Sequence, residues 1–157
     1  MASENMRSQL DALAGRRVAD AEIEALWDAC VPVRRDELSG LWRGWGLDNG
    51  HRVGGMLGKV GWYGKRFDAV DDVKPLMCRG EDGELFSNVQ LGNGEASLWD
   101  VEFRGRVHAT MVYDGQAVLD HFARVDGDTL LGVMNGKADL VLDNGSHYWF
   151  VLERDQA

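Results

Sequence analysis

Cysteine is scarce in this 157-residue chain: there are two, Cys30 and Cys78. Both lie in apolar contexts and neither sits near a Cys-X-X-Cys spacing, which points to two buried thiols in a reducing compartment rather than a disulfide or zinc framework. No run of about 18 apolar residues occurs, so no membrane-spanning helix is expected. The N-terminal stretch MASENMRSQLDALAGRR lacks the basic start and apolar stretch of a secretory signal, so a cytoplasmic location is expected. Positive charge is also short, with 17 Lys and Arg against 26 Asp and Glu and a formal net charge of -9. Such a chain repels nucleic-acid backbones and anionic membranes. The four histidines, His51, His108, His121 and His147, show no HExxH or His-X-His pattern. A dedicated metal site is therefore not expected. A Ser-His-Asp triad has no nucleophile elbow to support it.

What is present divides into two textures. Residues 4–30 contain only Gly15 among the twenty glycines. In VADAEIEALWDAC, residues Ile23, Leu26, Trp27 and Cys30 recur at spacings of three and four, which predicts an amphipathic helix starting near Asp20 and ending before Pro32. From Leu38 onward, short apolar runs alternate with turn signals. WDVEFRG (99–105) alternates strictly. Asp114-Gly115 joins RVHATMVY to QAVLDHFARV as a hairpin, and Asp126-Gly127 and Asn144-Gly145 lead into DTLLGVMNG and SHYWFVLER. SGLWRGWG, VKPLMCRG and GELFSNV are earlier strand candidates. HRVGGMLGKVGWYGKRF is open between a short helix and a loop, because its glycines weaken a helical face. Seven or more strands have exposed edges unless they close on themselves. The expected architecture is mainly β: an antiparallel barrel (33–157) with an N-terminal helical segment (1–32) packing on it or capping it, as one structural domain overall.

Gly40-Leu41-Trp42-Arg43-Gly44 resembles the motif of the GXWXG family. GWYGKRF (61–67), the proline in VKPLM, MVYDGQAVLDHFARVDGDTLLGVMNGK (111–137) and WFVLER (149–154) resemble its companion domain, DUF4334. The resemblance covers nearly the whole chain from about residue 33. A looser similarity runs to the calycin barrels: lipocalins, fatty-acid-binding proteins and haem-binding nitrobindin-like proteins. That similarity implies a barrel whose interior holds an apolar ligand and whose first-strand Trp, here Trp42, closes one end. It concerns fold and ligand class, not activity.

The residues themselves offer candidates. Asp120-His121 interrupts an apolar strand, and neighbours on a strand face opposite sides, so one of the two points inward. A carboxyl or imidazole in an apolar interior is a general acid or base. Tyr113 is a candidate to line the same interior, and Arg154 to stack on Trp42 or pair with Asp120. Trp62, Tyr63 and Lys65 are read as an aromatic and cationic cluster at the barrel mouth, with His51 nearby. There Lys65→Ala is expected to spare folding. Met111, Met134, Phe103 and Tyr148 complete a soft candidate lining for an adaptable apolar pocket, together with Met56, Met77 and Trp99.

Four functions stay open at this point. The first is a carrier of a small hydrophobic molecule such as a lipid, terpenoid, polyketide or aromatic metabolite. The second is a cofactor-free isomerase, dehydratase or cyclase using Asp120 or His121, with Tyr113 or Lys65 steadying an oxyanion. The third is a b-type haem barrel with an inward histidine. The last is a partner-binding protein acting through the N-terminal helix. A homodimer is equally open.

Overall fold

The computed structural model describes residues 2–156. Two helices, α1 (Ala2–Leu13) and α2 (Asp20–Ala29), precede the strands. The Glu22 carboxylate closes the start of α2 by accepting the Ala19 amide at 2.9 Å. Arg106 closes its end by donating to the Trp27 and Cys30 carbonyls, where the helix presents unpaired acceptors.

Eight strands form a closed antiparallel ring. They are β2 (Gly40–Gly46), β3 (Trp62–Ala69), β4 (Asp72–Arg79), β6 (Ala96–Phe103), β7 (Arg106–Tyr113), β8 (Val118–Asp126), β9 (Thr129–Gly136) and β10 (Trp149–Arg154). Each pairs with the next along this order, and β10 returns to β2, while β6 meets β4 directly. Two short strands hang on the ring, β1 (Val31–Pro32) on β8 and β5 (Leu85–Ser87) on β4. Closure removes the free edges that an open sheet would expose. The ring is thinnest between β4 and β6, which share the single bridge Val73↔Ala96. Beyond it the two strands diverge, and β5 with the short helix α4 (Val89–Gly92) fills the split.

The ambiguous segment is helical: α3 spans Arg52–Lys59. Its entry is fixed by His51, whose Nδ1 accepts the Val53 amide while its Nε2 donates to the Val141 carbonyl at 2.9 Å. Val141 lies on the last short helix, α5 (Ala138–Val141).

The strands separate two apolar cores. Outside the ring, Leu10, Leu13, Ile23, Leu26 and Trp27 of the helices pack on Ala123 and Val125 of β8, Leu131 and Val133 of β9, and Trp149 and Val151 of β10. The N-terminal helices therefore cover a side wall rather than a mouth; α3, not α2, sits over the open end. Inside, Trp42, Phe67, Phe122, Leu130 and Leu152 fill the opposite end. Trp42 is fully buried, with the Arg154 guanidinium 4.4 Å from its ring. The expected floor is thus built, and Arg154 pairs with Asp128 rather than Asp120. Cys30 and Cys78 are both buried and free. Among the described residues no helix is long and apolar enough to cross a membrane.

His121 belongs to the outer core. Its Nδ1 donates to the Thr110 hydroxyl at 2.8 Å, because that hydroxyl already donates to the His108 carbonyl. Its Nε2 accepts from Asn135 at 3.0 Å. Phe103 stacks on its ring at 4.4 Å. Burial, then the neighbouring His108 and His147, lower its pKa to about 4. A second proton would set Nε2–H against the Asn135 amide donor. The folded state thus holds His121 neutral where the unfolded chain binds a proton, so stability is lost as pH falls from 6.5 toward 4. The loss attributable to His121 is at most about 3 kcal/mol. Thermal melts across that window are expected to show a steep acid limb in the wild-type protein and a flatter one in His121→Gln; equal slopes would remove His121 as the cause.

Candidate functional site

The open end of the barrel holds a cavity of about 310 Å³. Its aromatic walls are Trp62 of β3, Tyr113 of β7, Phe150 of β10 and Tyr148 just before that strand. Val53, Met56 and Leu57 of α3 cover one side of the entrance, and Leu76 and Leu91 line the split between β4 and α4. Val118 and Met134 complete the apolar surface. Beneath it, Phe122 meets Phe67 and Phe150 edge to face.

Two charges lie in this apolar enclosure. Lys65 is 2% exposed and Asp120 is 3% exposed. Lys65 Nζ donates to Asp120 Oδ2 at 3.0 Å and to the Pro75 carbonyl at 3.3 Å. It also lies 5.3–5.8 Å from the ring centres of Trp62, Tyr113 and Phe150, a range at which a cation is held by aromatic faces. Burial pushes the Asp120 carboxyl above the ordinary range, and the Lys65 ammonium opposes that push. Burial, reinforced by Asp120, raises the phenols of Tyr113 and Tyr148, so both remain proton donors.

A strand irregularity makes this possible. Alternation from Lys65 and Phe67 would turn Trp62 outward. Between Trp62↔Cys78 and Gly64↔Met77, however, β3 carries one residue more than β4. This bulge brings Trp62 and Lys65 to the same face. Gly64 sits at the turn of the bulge, where a Cβ would fall 1.8 Å from the Trp42 carbonyl oxygen. A second irregularity, on β4 around Pro75, lets that carbonyl accept from both Lys65 and Trp62 Nε1.

Glycines seat the rings. A Cβ on Gly44 would lie 2.2 Å from the Trp62 ring, one on Gly46 2.5 Å from the Tyr148 hydroxyl, and one on Gly132 2.4 Å from the Phe150 ring. GLWRGWG and GWYGKRF are therefore parts of one construction: the first supplies the floor Trp and the flat surface on which the Trp of the second lies.

Of the candidate residues, the structure brings together Asp120, Tyr113, Trp62, Lys65, Met56, Met134 and Tyr148. Lys65 is not a mouth residue: the bulge carries it inward onto Asp120, so Lys65→Ala is expected to cost stability rather than to spare folding. Tyr63 faces outward, donating to Asp155 with the Arg79 guanidinium over its ring. His51 caps α3 and lines a separate polar groove with Gly54 and Gly55. Met111 is buried in the inner core below the cavity. Phe103 packs outside the ring against Trp27 and His121, and Trp99 is 52% exposed. Both lie on the outer face of β6, whose inward residues are Ala96 and Leu98. His121 points away from the cavity, so it touches no occupant. No histidine lines the cavity among the described residues, and the lining offers haem iron no imidazole. Nor do the described residues include a group of three or more His, Cys, Asp or Glu placed to hold a metal ion. Phe150, Val118, Leu76 and Gln116 also line the cavity. The alternation of β10 and β8 marked Phe150 and Val118, whereas Leu76 depends on the β4 irregularity and Gln116 on the hairpin turn.

Removing Lys65 alone leaves Asp120 buried without its cation, at a cost of about 3–5 kcal/mol. Replacing both with apolar residues, in Lys65→Met/Asp120→Leu, is expected to recover most of that loss in urea titrations. Additive losses would mean that the two groups do not depend on each other.

Residues 25–83 match the GXWXG protein family, and residues 94–154 match a domain of unknown function, DUF4334. Lys65 falls in the first segment and Asp120 in the second. A crystal structure described as a protein from Thermomonospora curvata shares 37% identity with the chain over 99% of each, with a TM-score of 0.85. No curated protein matches. With both matched segments folded into one ring and closed on one ion pair, the chain belongs to the GXWXG/DUF4334 family.

Proposed function

We propose that the barrel binds a small, predominantly apolar and uncharged molecule in the cavity under α3. The observation that carries this is the composition of the wall: aliphatic and aromatic side chains surround one balanced ion pair. Affinity comes from apolar burial, and a few polar groups set orientation. The volume is at the low end of the roughly 300–1,000 Å³ range of small-molecule pockets. That suits a compact terpenoid or aromatic metabolite better than a long acyl chain. Because Lys65 and Asp120 neutralise each other, an ionised head group would add a third, uncompensated charge to a poorly hydrated site. A neutral carbonyl or hydroxyl instead meets donors on Lys65, Tyr113 and Gln116.

Acid–base chemistry on the occupant is a second reading. It is favoured by the Asp120 carboxyl on the cavity wall, whose hold on a proton burial strengthens against the opposing Lys65 ammonium. Within the ring Asp120, not His121, is the residue placed for it.

Calorimetric titration with menthol and with octanoate tests the binding reading. Menthol is expected to bind saturably and octanoate far more weakly, and Met134→Trp, which fills the cavity, is expected to abolish the heat. Equal binding of both compounds, or heat that survives Met134→Trp, would place the interaction elsewhere. Gly44→Ala tests the seating of Trp62. Its methyl group forces the indole toward the cavity and is expected to weaken menthol binding on the order of tenfold. Unchanged affinity would mean that the ring moves without entering the site.

A further inference from the structure

We infer that Lys65 is a nucleophilic amine that condenses with the carbonyl group of an apolar aldehyde or ketone held in the cavity, giving an imine with Asp120 as its counter-ion. This rests on the cavity being a ligand site, as proposed above, and names the class of compound it takes.

The wall supplies the argument. Among the described residues that line the cavity there is no Ser, Thr, Cys or His. The two hydroxyls that do line it, on Tyr113 and Tyr148, are phenols that burial keeps protonated, so the Lys65 amine, once it has given up its proton, is the strongest nucleophile there. Lys65 is shut from bulk water. Asp120, 3.0 Å away, is positioned to accept that proton. Two of the three ammonium donors are engaged, by Asp120 and the Pro75 carbonyl. The remaining side of Nζ faces the aromatic walls.

The step balances without a further reagent. Asp120 takes one proton from the Lys65 ammonium, and the freed amine attacks the carbonyl carbon. A C–N bond forms, and the carbonyl oxygen becomes a hydroxyl by taking a proton from the nitrogen. Asp120 returns its proton to that hydroxyl, the C–O bond breaks and water leaves, so the products are a protonated imine, a carboxylate and one water. Nothing is oxidised or reduced. The buried charge is one cation and one anion before and after, so the electrostatics that hold the resting pair also hold the product. The protonated imine keeps one N–H, which suffices for Asp120, and releases the Pro75 carbonyl.

The test incubates the wild-type protein with octanal and sodium cyanoborohydride at neutral pH, then maps the modified lysines by peptide mass spectrometry. The hydride donor reduces the imine to a stable secondary amine. The chain has four lysines, Lys59, Lys65, Lys74 and Lys137. A single octyl group on Lys65, lost when 1-octanol competes for the cavity, is the expected result. Calorimetry of octanal without reductant is run in parallel. Saturable binding with octylation only at Lys59, Lys74 or Lys137 would overturn the inference while leaving the binding site intact. Absence of both binding and Lys65 modification would sink both. The Lys65→Arg protein, which keeps the cation but cannot form the imine, is expected to lose the octanol-sensitive adduct.

Discussion

The buried contact between Lys65 and Asp120 is the constraint around which the rest of the barrel is arranged. Each group alone is costly in an apolar enclosure; together they cancel. They come from opposite sides of the ring and from different family segments, 25–83 and 94–154. Their meeting requires the ring to close in one register. A slip of one residue on β8 would send Asp120 outward among the helices and bring His121 inward. The outer core opposes that slip independently, because His121 is satisfied there by Thr110 and Asn135. Adjacent residues of β8 thus pin the strand from both faces.

Side-chain volume decides why one end of the barrel is filled and the other is hollow. Trp42, Phe67, Phe122 and Leu130 pack solidly toward the floor. Above them, three inward glycines, Gly44, Gly46 and Gly132, give up side-chain volume so that the Trp62, Tyr148 and Phe150 rings lie against the wall. The rings then border the cavity instead of filling it. Weak pairing between β4 and β6 leaves that end covered by short helices, which are easier to displace than a continuous ladder. A rigid polar anchor, flat aromatic walls and a loosely covered entrance are together the physical basis for proposing a small-molecule site.

Much of this was legible in the residues. The Asp-Gly hairpins gave β7, β8 and β9, and the spacing of Ile23, Leu26 and Trp27 gave the buried face of α2. Alternation narrowed the inward polar residue to Asp120 or His121 without choosing, because both faces of β8 are buried. Period-two reading failed where the strands are irregular. The bulge at Tyr63-Gly64 put Trp62 and Lys65 on one face, and no local pattern announces that a lysine in a Gly-rich stretch is buried. Phe103 and Trp99 were misplaced for a related reason. Phe103 does belong to a core, but it is the outer one, made only when α2 covers the wall. A second apolar layer on the outside of a barrel is invisible to a pattern that assumes one apolar face per strand.

The central claim is that the hollow end is a receptor organised by the ion pair. The most direct measurement is anomalous X-ray scattering from crystals soaked with 4-bromobenzaldehyde. One strong bromine peak is expected inside the ring, among Trp62, Met134 and Phe150, with the aldehyde end toward Lys65. A bromine peak confined to the outer surface, or density showing Trp62 and Phe150 collapsed together over Lys65 and Asp120, would contradict it.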